Sequence, residues 1–223
     1  MPPFSSTLMQ PHFASHLRAA AIGDHLVIMD LAANSYVCVA GALIPASDDT
    51  PLIERINEAT RLALIEDGVL VAKAEDGLEA ADLPAYPTRD LPFEMPPAWP
   101  GLATTVELLA RIVLAQGARR FPSPARWLRR LNSKDRFDVL PEAEIVWRVR
   151  QVQSAALYLP GMSGCLVNSM VLHGLLRSRG ARTRWVFGVR LHPFEAHCWV
   201  QWRDLVLNDR VEHVRWFTPV VAA

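Results

Sequence analysis

Ser163-Gly164-Cys165-Leu166 precedes an apolar helical pattern that runs to about Ser178. Ala196-His197-Cys198-Trp199-Val200-Gln201-Trp202 is strand-like, and Leu205-Val206-Leu207-Asn208-Asp209 is a shorter run after it. Apolar residues recur on both sides of Arg203-Asp204, as expected of two strands joined by a tight connection. In such a hairpin a residue early in the first strand sits near one late in the second, which places His197 near Asp209. The position of Cys165 relative to this pair depends on the fold.

A thiol at a helix start, an imidazole on a strand and a carboxylate on its hairpin partner are the parts of a cysteine nucleophile machine. A free thiol has a pKa of about 8.5 and is mostly protonated at neutral pH. Unpaired amides at a helix N-terminus, its partial positive charge and an adjacent imidazolium all favour the thiolate. The imidazole then protonates the leaving amine, while the carboxylate fixes its tautomer. The same amides offer an oxyanion site. Free cysteines also serve as buried small hydrophobes, and an Asp after a strand is often a turn residue. Spacing alone leaves both readings open.

The C-terminal segment resembles the lasso-peptide B proteins. The resemblance rests on Ser163-Gly164-Cys165-Leu166, the helix ending Leu175-Leu176-Arg177-Ser178-Arg179-Gly180, the strand Trp185-Val186-Phe187-Gly188-Val189, then Ala196-His197-Cys198-Trp199-Val200 and Asn208-Asp209. It covers roughly residues 150–217. It implies a leader peptidase with a transglutaminase-like (papain-related) cysteine-protease fold, with Cys165 as nucleophile, His197 as base and acid, and Asp209 as orienting carboxylate. Cys198 stands where that family usually has alanine. As the strand neighbour of His197 it points to the opposite face, and inert packing is expected of it.

Charge and composition agree with a cytoplasmic enzyme. Residues 1–100 carry 5 basic and 14 acidic side chains, whereas residues 101–223 carry 18 and 9, an asymmetry that suggests two modules. Three cysteines without paired spacing argue against a disulfide framework. The start, Met1-Pro2-Pro3-Phe4-Ser5-Ser6-Thr7, lacks a basic n-region and an apolar h-region. Leu26 to Ala46 is interrupted by Asp30 and Asn34 and reads as strands rather than a membrane span. Arg119, Arg120, Arg126, Arg129 and Arg130 form a basic patch without a nucleic-acid reader motif, so a solvated face or a docking patch for an acidic partner is expected.

Pro84, Pro87, Pro92, Pro96, Pro97 and Pro100 mark residues 83–100 as an extended linker between a first module, 1–82, and a second, 101–223. The first begins with a poorly patterned tail to about residue 20. His25–Leu31 and Ser35–Ala40 follow as a hairpin. Thr50-Pro51 starts a helix with Ile53, Ile56, Ala59, Leu62 and Ala63 on one stripe, Asp67-Gly68 stops it, and Val69-Leu70-Val71 is a short strand or wing. The expected fold class is α+β, a small winged-helix-like module followed by the transglutaminase-like domain.

That order, with Met29-Asp30-Leu31-Ala32-Ala33-Asn34-Ser35-Tyr36, resembles the leader-recognition domain of ribosomal-peptide maturation systems. The resemblance implies that a leader peptide adds as a strand along Tyr36, Val37 and Cys38, against the helix bearing Leu62 and Ile65. It also implies a separate asparagine-synthetase-like lasso cyclase as partner.

In the second module, Val106, Leu109, Ile112 and Val113 share one side of a helix after Gly101. Ser123-Pro124 opens a second helix with Trp127, and Pro141-Glu142 opens a third carrying Ile145, Val149, Val152 and Ala156. Trp127 and Trp147 are expected in the core. His192, Glu195 and His197 lack metal-ligand spacing, and Pro193 argues for a loop there. His173, about 12 Å along the helix from Cys165, is too far to be the base. His213 is a candidate substrate contact. No phosphate-cradling glycine loop is visible, so no bound cofactor is expected and any ATP dependence would arise from a partner. Two other classes fit the same residues: a transglutaminase-like cysteine acyltransferase, and a non-catalytic peptide-binding scaffold with a buried Cys165.

Overall fold

The computed structural model describes residues 11–33, 35–47, 49–72, 83–92, 96–120 and 140–223, with side chains to residue 117 in the stretch ending at 120. The chain divides into two compact units, residues 1–79 and 80–223. Asn34, residues 73–82, and the helix expected at Ser123 with Trp127, Arg126, Arg129 and Arg130 lie outside the described residues, as do the Arg119 and Arg120 side chains.

The first unit contains an antiparallel meander, β2 (Leu17–Ile22), β3 (His25–Asp30) and β4 (Ser35–Val39), in the order β2-β3-β4. The expected hairpin is β3–β4. The stretch read as a poorly patterned tail instead supplies β1 (His12–Phe13) and β2. Its signal is Gly23-Asp24, a two-residue connection in which Gly23 adopts φ 62°, a conformation open to glycine at little cost. Asp30 Oδ1 accepts the Ala32 and Ala33 amides at 2.7 and 2.9 Å, closing the next turn.

The single helix expected after Thr50-Pro51 is broken in two, α1 (Leu52–Arg55) and α2 (Glu58–Glu66). Asn57 is the reason. Its Oδ1 accepts the Thr60 amide at 2.9 Å as an N-cap, and its Nδ2 donates to the Gly41 carbonyl at 2.8 Å. The restart rotates the stripe: Ile56 and Leu64 are buried, whereas Leu62 and Ala63 face outward. Ile56 and Leu64 join Leu17, Leu26, Ile28, Leu43 and Leu70 in one core. β5 (Leu70–Val71) pairs with β1.

The second unit is a four-stranded antiparallel sheet, β8-β7-β6-β9, with helices on it. The strands are β6 (Arg184–Leu191), β7 (Phe194–Trp202), β8 (Leu205–Val206) and β9 (Thr218–Ala222). The helices are α3 (Leu102–Arg120), α4 (Glu142–Ala156), α5 (Cys165–Ser178) and α6 (Val211–Val214). α5 packs on β7, and α3 and α4 pack on α5. α4 buries Ile145, Val149 and Val152 as its spacing predicts, but Trp147 is exposed rather than core. α3 likewise departs from expectation. It buries Leu108, Ile112 and Ala115, leaving Val106, Leu109 and Val113 outside. α3 carries two apolar stripes, and Glu107, bonded to Arg111 and to Arg179 beyond the end of α5, selects the one beside it.

Part of the proline-rich segment is a strap on this sheet. The Thr88 and Arg89 amides donate to the Asp204 carbonyl, and the Val206 amide donates back to the Arg89 carbonyl, which covers the open edge of β8. Tyr86 Oη donates to the Phe217 carbonyl at 3.0 Å, and Gln201 Nε2 to the Ala85 carbonyl at 2.8 Å. Asp90 Oδ1 accepts the Val211 amide at 2.7 Å at the start of α6.

Candidate active site

Cys165 is the first residue of α5, after Gly164 at φ 87°. Among the described residues no side chain caps this helix, which leaves the amides of its first turn available. The neighbouring strand carries His197. The β7–β8 register, Gln201 to Val206 and Trp202 to Leu205, extends through the Leu207 amide bonded to the Val200 carbonyl at 2.9 Å. Two residues further on, Asp209 meets His197. His197 Nε2 bonds Asp209 Oδ2, which leaves Nδ1 for Cys165.

The imidazole has aromatic neighbours. Its centroid lies 4.9 Å from Phe217, 4.9 Å from His213 and 6.2 Å from Trp199, the last nearly parallel. Gly188 is opposite His197 on β6, and a Cβ there would come within 3.0 Å of both Phe217 and Trp199. The sequence holds a faint signal of this role in a lone glycine within an apolar strand.

Electrostatics match the geometry. The Cys165 thiol is brought down to about 4, first by the hydrogen bond from Cys198 and then by that from His197, against the opposing effect of burial. Burial would lower His197, but its bonds to Asp209 and Cys165 outweigh that and raise it to about 9. Asp209 resists burial through His197, His213 and the Arg210 amide, and stays below the usual carboxylate range. Cys165 and His197 therefore rest as a thiolate and an imidazolium.

Cys198 packs in the core as expected, and its backbone meets α5 one turn after Cys165. The Cys198 thiol is buried, 2% exposed, and is raised well above its ordinary value by interaction with Cys165 and then by burial. Ser169 Oγ donates to the Cys198 carbonyl at 3.1 Å.

Sequence spacing also missed the support behind the carboxylate. Asn208 Oδ1 accepts the Val200 amide at 2.7 Å, while Nδ2 donates to Ser169 Oγ and Asn168 Oδ1. His213, beside the His197 ring, also meets Asp209, with Nδ1 at 3.0 and 2.9 Å from the two carboxylate oxygens. The ligand atoms of His197, Asp209 and His213 fall within 4.8 Å of one another, so these three could hold a metal, although the carboxylate is already shared by the two rings. His173 is wholly buried on α5, bonded through Nδ1 to Thr183 Oγ1 at 2.9 Å, and brought down to about 3 by burial.

The peptide-contact candidates all belong to the first unit. Tyr36, Val37 and Cys38 are on β4, the edge of its sheet, where among the described residues no further strand pairs. Val37 faces Ile28 across the hairpin and is 55% exposed. Leu62 and Ile65 are exposed on α2, at 61% and 47%.

A thiol at a helix start, an imidazole on a strand and a carboxylate in the loop after the next strand are the parts a cysteine nucleophile needs. The chain belongs to the transglutaminase-like superfamily, which residues 108–222 match. Membership points to chemistry of the cysteine-protease or acyltransferase type. No curated protein and no solved structure matches the chain.

Proposed function

We propose that this chain is a lasso-peptide B protein, a cytoplasmic cysteine endopeptidase that binds and removes the leader of a ribosomally made precursor. The observation that carries the chemistry is the His197 ring held between Asp209 and Cys165. The Cys165 thiolate attacks the scissile carbonyl, and the oxyanion meets the first-turn amides of α5. His197 gives its Nδ1 proton to the leaving amine, then, neutral, takes one from the water that releases the acyl group. Asp209 holds the ring through both steps.

The finer reading assigns the first unit to leader capture as a winged-helix-like recognition module. Its support is the edge position of β4, beside which no further strand pairs among the described residues, and the outward Val37, Leu62 and Ile65, a backbone template flanked by apolar side chains. Tethering the leader there raises the local concentration of the scissile bond at Cys165. The released core then passes to an asparagine-synthetase-like cyclase, which would bring the ATP dependence of the system. No helix among the described residues is long and apolar enough to cross a membrane.

The test is the mass spectrum of the precursor peptide incubated with the wild-type chain and with Cys165→Ala. A split into leader and core by the wild type alone supports the peptidase. Attachment of an added amine in place of water identifies the acyltransferase that the superfamily also permits. An intact precursor that still binds the chain indicates a recognition scaffold.

A further inference from the structure

Asp209 lies on the irregular stretch between β8 and α6, where no strand or helix fixes its carboxylate. Its hydrogen bonds must do so. We propose that His213 is a positioning residue for the peptidase reaction: it donates across both oxygens of Asp209 and holds the carboxylate in the orientation that His197 needs. This rests on the reading of Asp209 as the orienting carboxylate.

The carboxylate meets three donors. The Arg210 amide reaches Oδ1 at 2.7 Å, and His197 Nε2 takes Oδ2. His213 Nδ1 lies 3.0 Å from Oδ1 and 2.9 Å from Oδ2, astride the pair. An ionised carboxylate only accepts, so Nδ1 carries the proton and donates. The other two donors each hold one oxygen. A donor shared by both opposes rotation in either direction, since any turn lengthens one of its contacts.

His213 is itself fixed by its surroundings. Val211 and Val214, on either side of it in α6, are buried, and Asp90 Oδ1 accepts the Val211 amide at 2.7 Å. The His213 ring meets Phe217 edge-on, with centroids 5.3 Å apart and planes at 85°, and Trp216 at 5.6 Å and 76°. It also lies 4.9 Å from the His197 ring, so one side chain touches both members of the His197–Asp209 pair. Its side chain is 37% exposed, as a substrate contact would also be. The two roles differ in kinetics: a substrate contact acts on KM, a positioning residue on kcat.

The experiment uses the full chain with His213→Leu, which keeps bulk without a donor, and His213→Asn, whose amide N–H can stand where Nδ1–H stands. Precursor cleavage is measured for each, alone and together with Asp209→Ala, and the His197 ring protons are followed by NMR. His213→Leu is expected to lower kcat by about 10-fold or more, the worth of one hydrogen bond to a charged group, with KM kept. His213→Asn should recover most of that loss. Beside Asp209→Ala, where no carboxylate is left to hold, His213→Leu should change turnover by less than about twofold. The His197 Nε2–H signal should move in His213→Leu and return toward its wild-type position in His213→Asn. A raised KM with kcat kept makes His213 a substrate contact and overturns the proposal. Equal losses in the two variants, or equal losses with and without Asp209, overturn it too. The His197 signal needs neither precursor nor cleavage. An unmoved signal in His213→Leu therefore removes only the positioning role, and a moved signal in a chain that leaves the precursor intact removes only the peptidase.

Discussion

Asn208 Nδ2 lies 2.8 Å from Ser169 Oγ, so the residue before Asp209 is tied to the helix that begins at Cys165. The other end of the same amide accepts the Val200 N–H at 2.7 Å. One side chain thus fixes β7, the Asp209 loop and α5 against one another. Asn208→Ala leaves the Val200 amide without its partner, a change expected to cost about 1–3 kcal/mol of stability. It should also lower kcat far more than it raises KM. Urea unfolding and steady-state kinetics on the precursor check the two halves.

Asp209→Asn keeps the shape of the site but removes the charge that sets the His197 tautomer. Peptidase turnover is expected to fall by about 10³-fold or more. The His197 pKa should drop, since its bond to Asp209 is the leading effect that raises it against burial. Imidazole proton shifts followed by NMR across the titration measure that directly.

The ion pair sets a pH window. Below about 4 the Cys165 thiolate gains a proton, and above about 9 His197 loses one. Turnover should therefore be bell-shaped between these limits, while alkylation of Cys165 should fall only on the acid side. Replacing Cys198 with alanine removes the first contributor to the low thiol value, and the acid limb should move upward. Iodoacetamide labelling rates against pH give the curve, and an unmoved limb would count against the Cys198 hydrogen bond.

On the first unit, Val37→Pro deletes a backbone donor from the edge strand β4. If a leader adds there, its Kd should weaken by about 10-fold or more, the worth of about 1.4 kcal/mol. Turnover of precursor at saturation should be kept. Fluorescence anisotropy of a labelled leader peptide reads the first, and single-turnover cleavage the second.

Asp90→Ala removes the carboxylate that accepts the Val211 amide. The expected loss is about 1 kcal/mol, as for other helix-start caps. Thermal unfolding of the variant measures it.

The His197–Asp209 pairing was legible because it is local: a two-residue turn and a short alternating pattern determine which positions meet. The neighbours of Cys198 were not legible, because strand alternation names a face without saying which helix covers it. The same limit governs α3, where two apolar stripes compete and Glu107 decides through Arg111 and Arg179. In the first unit Asn57 reads as an ordinary polar position on a helix until its bond to Gly41, 16 residues earlier, is known. β2 escaped notice because alanines pattern weakly, although Gly23-Asp24 marked its turn.

The strap over β8 also bears on where the catalytic part could be cut free. A fragment starting at Gly101 would lose the Thr88, Arg89 and Asp90 bonds, baring the edge strand β8 before the Asp209 loop and leaving the start of α6 uncapped. A bare strand edge recruits other chains. The portable catalytic piece accordingly begins upstream of Ala85, and the prolines around that point hold its boundary in an extended form ready to lie along the sheet.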